Sequence, residues 1–177
     1  MKTRLVERND ASGLARGPHA SLKSGEGTKM EQSVTINRSP EEIYSFWRQL
    51  ENLPRFMRHI KSVTQTGDGI SHWVVQTSAG KQFEWDALLI EDKPGQMISW
   101  QSLEGADVDN AGSVWFVPVS DGFATEVKVS MKYSPPGGKI GALLAKFFGD
   151  SAEKQMTEDL LQLKKLMESP GHAPVTQ

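Results

Sequence analysis

The chain contains no cysteine, which removes disulfides, thiolate nucleophiles and thiolate metal sites together and makes a reducing, cytoplasmic setting the expectation. Histidine is sparse. The four, His19, His59, His72 and His172, show no ligand spacing such as two histidines one helical turn apart, so neither a metal nor any other cofactor is expected. No run approaches the roughly 18 apolar residues that span a bilayer, and the N-terminus lacks the apolar stretch of a secretory signal. Membrane insertion and export are therefore not expected. Lys and Arg number 20 against 22 Asp and Glu, a net charge of −2, which gives no sign of a nucleic-acid groove. The glycine clusters Ser78-Ala79-Gly80 and Pro136-Gly137-Gly138 match neither a phosphate loop nor a nucleophile elbow and read as turns.

Aromatic side chains are absent from the first 29 residues, whereas all five Trp and all seven Phe lie beyond residue 45. Residues 1–29 are rich in Gly, Ser, Lys and Arg and carry six basic against three acidic groups. Such a segment does not bury enough apolar surface to offset the entropy of ordering, so a mobile N-terminal arm is expected, with Met30 a candidate start. Residues 30–168 read as one domain, and the Pro, Gly and small polar residues of 169–177 as a frayed tail. A chain of this length buries roughly two-thirds of the surface its unfolded form exposes, enough for a single core.

Within the domain, Glu31–Asn37 alternates polar and apolar, the period of a first strand. Ser39-Pro40-Glu41-Glu42 then announces a helix, with Ser39 as N-cap, Pro40 at the first position and Glu42 closing a capping box. The helix runs to about Leu50, with a stripe of Ile43, Phe46, Trp47 and Leu50 facing a core; Asn52-Leu53-Pro54 stops it, and Leu53 to Met57 reads as a second, very short helix. Six strands follow at about 60–66, 71–78, 82–92, 96–103, 112–119 and 123–133, joined by short turns that imply an antiparallel meander. A terminal helix carries Ile140, Leu143, Leu144, Phe147 and Phe148, is interrupted at Gly149, and continues through Met156, Leu160, Leu163 and Met167. The fold class is therefore α+β: a curved antiparallel sheet of about seven strands, in the order β-α-α-β6-α, with the long C-terminal helix as the element able to cover its apolar face.

The segments Val34–Tyr44, Trp47, Leu53-Pro54-Arg55-Phe56-Met57, Glu84-Trp85-Asp86-Ala87, Ile98-Ser99-Trp100-Gln101-Ser102, Pro135–Gly138 and Phe147-Phe148-Gly149-Asp150 together resemble the START and birch-pollen-allergen superfamily, also called SRPBCC. The resemblance covers about 30–168 and is to the bacterial polyketide cyclase/dehydrase branch. It implies a helix-grip fold enclosing a cavity between sheet and terminal helix. Members bind lipids, sterols, polyketides, quinones and plant hormones, and a few catalyse cyclisation or dehydration, so the fold implies a cavity and leaves the function open.

Trp47, Phe83, Trp85, Trp100, Phe116 and Tyr133 fall on inward faces, and with Phe147 and Met156 of the covering helix they are the expected ligand-binding residues. Simple core packing explains the same positions, and the two roles overlap. His59 and His72 flank the second strand and are the acid/base candidates, although a surface or satisfied histidine is the plainer reading, since no carboxylate partner is fixed by the sequence. Glu84 and Asp86 share the outward face of one strand and are expected to be solvated. Trp115 and Val117, with Leu88, are expected to form an outward apolar strip and hence a homodimer surface. The leading expectation is a binder of a small hydrophobic ligand. The alternatives are a cyclase/dehydratase-type enzyme using the same cavity and a protein-interaction module.

Overall fold

The computed structural model of the chain describes residues 27–77, 79–134 and 152–172. Seven antiparallel strands run β1 (Thr28–Ile36), β2 (Ile60–Gly67), β3 (Ile70–Gln76), β4 (Gln82–Lys93), β5 (Met97–Ser102), β6 (Asp109–Val119) and β7 (Ala124–Ser134). Their spatial order is β1-β7-β6-β5-β4-β3-β2. The last six form a meander, and β1 closes the far edge beside β7 with Val34 opposite Val127 and Met30 opposite Met131. Helix α1 (Pro40–Arg48) and a 3-10 turn, Leu50–Arg55, carry the chain from one edge of the sheet to the other, and α2 (Ala152–Glu168) returns across its concave face.

Sequence chemistry explains the entry into α1. Ser39 Oγ accepts a hydrogen bond from the Glu42 amide, and the Glu42 carboxylate accepts one from the Ser39 amide, so two amides left over at the helix start are satisfied reciprocally. Ile43, Phe46 and Trp47 are buried as the stripe requires. The α-helix ends at Arg48, two residues before the expected end. The chain continues as a 3-10 helix over Leu50–Arg55, opened by the Asn52 amide donating to the Gln49 carbonyl oxygen, and Leu50 and Leu53 stay buried. Between β2 and β3, Asp68 and Gly69 both have positive φ (52° and 74°), the two-residue turn whose twist matches that of the strands.

Strand β1 begins at Thr28, two residues before the expected domain edge, because Thr28 and Lys29 pair with Tyr133 and Lys132. At the other end, Pro170–His172 form a short turn rather than leaving the chain at Ser169. The His172 ring meets Phe46 edge-on at 5.2 Å, and the Arg38 guanidinium donates to the His172 carbonyl oxygen. Residues 1–26 and 173–177, and the first half of the expected terminal helix with Phe147, lie outside the described residues.

Helix α2 buries Ala152, Met156, Leu160, Leu163 and Met167 at spacings of three and four, the single stripe of an amphipathic helix. Its C-terminal end is fastened to the β1–α1 corner. The Asn37 amide donates to Glu168 Oε1 at 2.8 Å, and Lys164 Nζ donates to Glu168 at 2.9 Å and to the Thr35 carbonyl oxygen at 2.6 Å. The Asn37 amide, then Lys164, hold the Glu168 carboxyl below its ordinary value of 4.5. A carboxyl depressed on folding stabilises above its unfolded pKa, and that contribution is lost as pH falls through the folded one. Glu168→Gln is therefore expected to lose less stability than the parent between about pH 5 and pH 3, as measured by urea unfolding. Equal acid sensitivity of the two proteins would mean that the fastening contributes nothing.

On the outer face Trp115 is half-buried and Val117 exposed, as expected from their phase. Leu88 does not continue their strip. Its partners are Ile70 and Gln101, and the next strand is met at Ala111, four residues before Trp115, so the sheet's stagger separates them.

Candidate functional site

The concave face of the sheet and α2 enclose a cavity of about 110 Å³. Its apolar wall is contributed by elements distant in sequence: Trp47 from α1, Trp73 from β3, Trp85 from β4, Trp100 from β5, Tyr133 from β7 and Met156 from α2. Trp73 and Trp85 are direct cross-strand partners, with ring centroids 6.1 Å apart and planes 13° apart. Trp100 also stacks with Trp73, at 6.1 Å and 20°. Three nearly parallel indoles thus form one side of the hollow.

Room for this arrangement depends on Gly112 of β6, the register partner of Trp100. A Cβ at Gly112 would stand less than 3.0 Å from three atoms of the Trp100 ring. Only a residue without a side chain lets that indole lie flat across the neighbouring strand. Gly112→Ala is expected to cost about 1–3 kcal/mol and to tip Trp100 into the cavity. Near-ultraviolet circular dichroism with urea unfolding would detect both changes, and an unaltered spectrum would show that the ring is not held there.

Few polar groups reach the cavity, and those that do are organised. Asn110 is 4 % exposed and uses its amide nitrogen on the Val108 carbonyl oxygen. Burial, helped by the nearby Glu153 carboxylate, raises the pKa of Tyr133, which keeps its hydroxyl protonated at neutral pH. His59, just before β2, places Nε2 3.4 Å from Asp159 Oδ2. Gln155, one turn earlier on α2, donates to Asp159 Oδ1 at 3.0 Å. Asp159 is only 7 % exposed. The carboxylate missing from the sequence reading is thus supplied across the cavity from the terminal helix. A signal for it exists in the sequence, because position 159 lies three after Met156 and four before Leu163, inside an otherwise apolar stripe.

The other histidine candidate is corrected. Burial alternates along β3 with Ser71, Trp73 and Val75 inward, so His72 faces outward, Nδ1 2.8 Å from Asp86 and Nε2 3.6 Å from Glu84. Glu84 and Asp86 are on the solvated face, as their spacing implies. Of the expected aromatic lining, Trp47, Trp85, Trp100 and Tyr133 reach the cavity, with Met156. Phe83 and Phe116 are buried but do not line it. Phe116 lies further along β6 under α1, edge-on to Tyr44 at 5.9 Å and to Trp47 at 6.3 Å, and Phe83 lies under the Lys81 ammonium at 5.6 Å. The inward face of the sheet is shared between the cavity and the seat of α1, and alternation alone does not divide them. Trp73, the middle of the indole stack, is the main wall residue that the sequence reading did not name.

A second set of polar groups fastens α1 to β4. Tyr44 donates to Asp92 at 2.5 Å and Arg48 Nε donates to the same carboxylate at 2.7 Å. Burial first, then the Asp92 carboxylate, push the Tyr44 phenol up to about 12. Burial would raise Asp92, but the bonds from Tyr44 and Arg48 outweigh it and hold the carboxyl low. This cluster ties α1 to the sheet and does not line the cavity.

A curved seven-stranded antiparallel sheet closed by a C-terminal helix over an aromatic hollow defines a helix-grip protein of the SRPBCC type, with a ligand-binding or cyclase role. Residues 36–161 match the family described as polyketide cyclase/dehydrase and lipid transport, and the chain belongs to that family. It is 29% identical over 146 residues to an uncharacterised 17.2 kDa protein of Streptomyces lincolnensis, covering 81% of this chain and 92% of the other. A crystal structure from Deinococcus radiodurans shares 35% identity and a TM-score of 0.65, covering 80% of this chain and 97% of that one. The Zhui aromatase/cyclase of a Streptomyces strain has the same fold at 13% identity, with a TM-score of 0.67 and coverage of 84% and 98%. Among the described residues no helix is long and apolar enough to cross a membrane, and no cluster of three or more His, Cys, Asp or Glu side chains could hold a metal ion.

Proposed function

We propose that the protein binds a small hydrophobic molecule in the cavity between the sheet and α2. The observation that carries this reading is the wall itself: three stacked indoles and Met156 around about 110 Å³, with polar groups confined to a few positions. Burial of apolar area supplies affinity in such a site, and the few polar groups supply orientation. An apolar cavity of roughly 150 Å³ holds a benzene ring, and the space here, about 110 Å³, is of the same order. Native mass spectrometry of the protein purified under mild conditions, followed by organic extraction, tests the reading. A stoichiometric apolar compound is expected. A protein that carries nothing and binds no single-ring compound at millimolar concentration would refute it.

The His59–Asp159 pair supports a second reading, a cyclase- or dehydratase-type enzyme. An imidazole at the cavity edge, oriented by a buried carboxylate, has the arrangement of a general acid/base. In that case His59→Gln leaves binding of a substrate intact and lowers turnover by about 10²-fold or more. Turnover equal to that of the parent would remove His59 from the chemistry.

A further inference from the structure

The cavity wall contains a buried hydrogen-bond acceptor that nothing among the described residues answers. Asn110 is 4 % exposed, lines the cavity, and lies on the inward side of β6 with Gly112, Val114 and Phe116. Its backbone is fixed by Ser102 of β5, fully buried, whose Oγ accepts from the Asn110 amide at 2.8 Å and donates to the Asn110 carbonyl oxygen at 2.9 Å. Its side-chain nitrogen donates to the Val108 carbonyl oxygen at 2.9 Å. A carbonyl only accepts, so that contact fixes which end of the side-chain amide is nitrogen. The other end, Oδ1, receives no hydrogen bond among the described residues. It is also reachable. The buried polar atoms that are sealed off without a partner are Arg38 Nε and Trp85 Nε1, and Asn110 Oδ1 is not one of them. On a residue this buried, whose side chain stands on the concave side of the sheet, the surface that Oδ1 keeps is cavity surface. The polar groups that face it from α2 and the start of β2 are turned to one another, Gln155 to Asp159 and Asp159 to His59.

Native proteins satisfy the great majority of buried acceptors, and one left unmade carries a desolvation cost that a donor from outside the chain removes. We propose that Asn110 Oδ1 is the ligand-orienting acceptor of the cavity, and that the ligand is a ring compound carrying a hydroxyl group, of the phenol class. The inference rests on the cavity-binding reading above and adds the chemical class to it. A hydroxyl that enters a dry apolar space without a partner gives up its bonds to water for nothing, which excludes it far more strongly than a methyl group of the same size. One that meets Oδ1 exchanges one hydrogen bond for another.

Phenol and toluene, which differ by a hydroxyl for a methyl group, separate these cases when titrated calorimetrically into the full-length protein and into Asn110→Leu. Both compounds are expected to bind the parent. Asn110→Leu keeps a side chain of similar size and removes the acceptor, and it is expected to weaken phenol about fivefold or more relative to toluene. Toluene in the same variant reports any loosening of the wall. A second readout needs no variant: in the ¹³C-labelled parent, the side-chain carbonyl resonance of Asn110 is expected to move downfield on saturation with phenol relative to toluene, as a carbonyl that accepts a hydrogen bond does. Toluene binding without phenol binding in the parent, a phenol-to-toluene ratio unchanged in Asn110→Leu, or an Asn110 carbonyl resonance that does not distinguish the two compounds would overturn the inference while leaving a cavity binder. Failure of both compounds to bind the parent would instead bring down the cavity-binding reading, and this inference with it.

Discussion

Trp73→Ala is expected to lower the free energy of unfolding by about 3–5 kcal/mol, the range for deleting a large buried aromatic side chain, and at the same time to widen what the protein binds. Trp73 is 6 % exposed and stands between two hollows. One is the main cavity. The other, of about 20 Å³, lies toward α1 and is bordered by Arg48, Gln65 and Leu89. Trp47, Trp73 and Trp100 line both. Removing the middle indole joins the two spaces and strips Trp85 and Trp100 of their common stacking partner. Urea unfolding reads the stability, and calorimetric titration with naphthalene reads the new volume. The variant is expected to bind this two-ring compound and the parent to reject it. A loss below about 1 kcal/mol would mean that the sheet collapses into the vacated space, and naphthalene binding by the parent would show that the indoles already move aside.

Asp159→Leu is expected to act in the opposite direction and raise stability by about 1–4 kcal/mol, because replacing a buried carboxylate by well-packed apolar atoms removes a desolvation cost that its contacts do not fully recover. The site favours this exchange. Asp159 sits among Met156, Leu160 and Leu163 on the buried face of α2, while its partner His59 keeps 19 % side-chain exposure and stays in reach of water. Stability is read by urea unfolding. A fall in stability would recast Asp159 as an anchor of α2 to the His59 corner.

The fold was legible in the sequence because each of its elements announces itself locally. The capping box at Ser39 and Glu42 forms as spelled, the turn at Asp68-Gly69 takes the conformation those residues favour, and the alternation in β7 buries Thr125, Val127, Val129 and Tyr133. Element ends were less legible. Strand β6 starts at Asp109 rather than near 112, since Asn110 is held by Ser102 Oγ, a side chain of the neighbouring strand. The candidate site was legible in part. Inward phase identified Trp47, Trp85, Trp100 and Tyr133, but the same phase placed Phe83 and Phe116, which pack elsewhere. The partner of His59 is 100 positions away in the chain, a separation at which no periodicity operates.

The sequence alone determined what depends on neighbours along the chain: the absence of thiol chemistry, the order and type of the elements, which face of each strand is apolar, and the stripe that makes the terminal helix a cover. Tertiary structure decided what depends on register and on the approach of remote elements. Gly112 opposite Trp100 makes room for a flat indole, Trp73 opposite Trp85 builds the stack, His72 opposite Asp86 is turned to solvent, and Asp159 across from His59 sets a carboxylate beside an apolar hollow. Local patterns encode which side of an element is dry. Whether that dry side meets another side chain or encloses a space is settled only when the sheet has curved and the helix has closed over it.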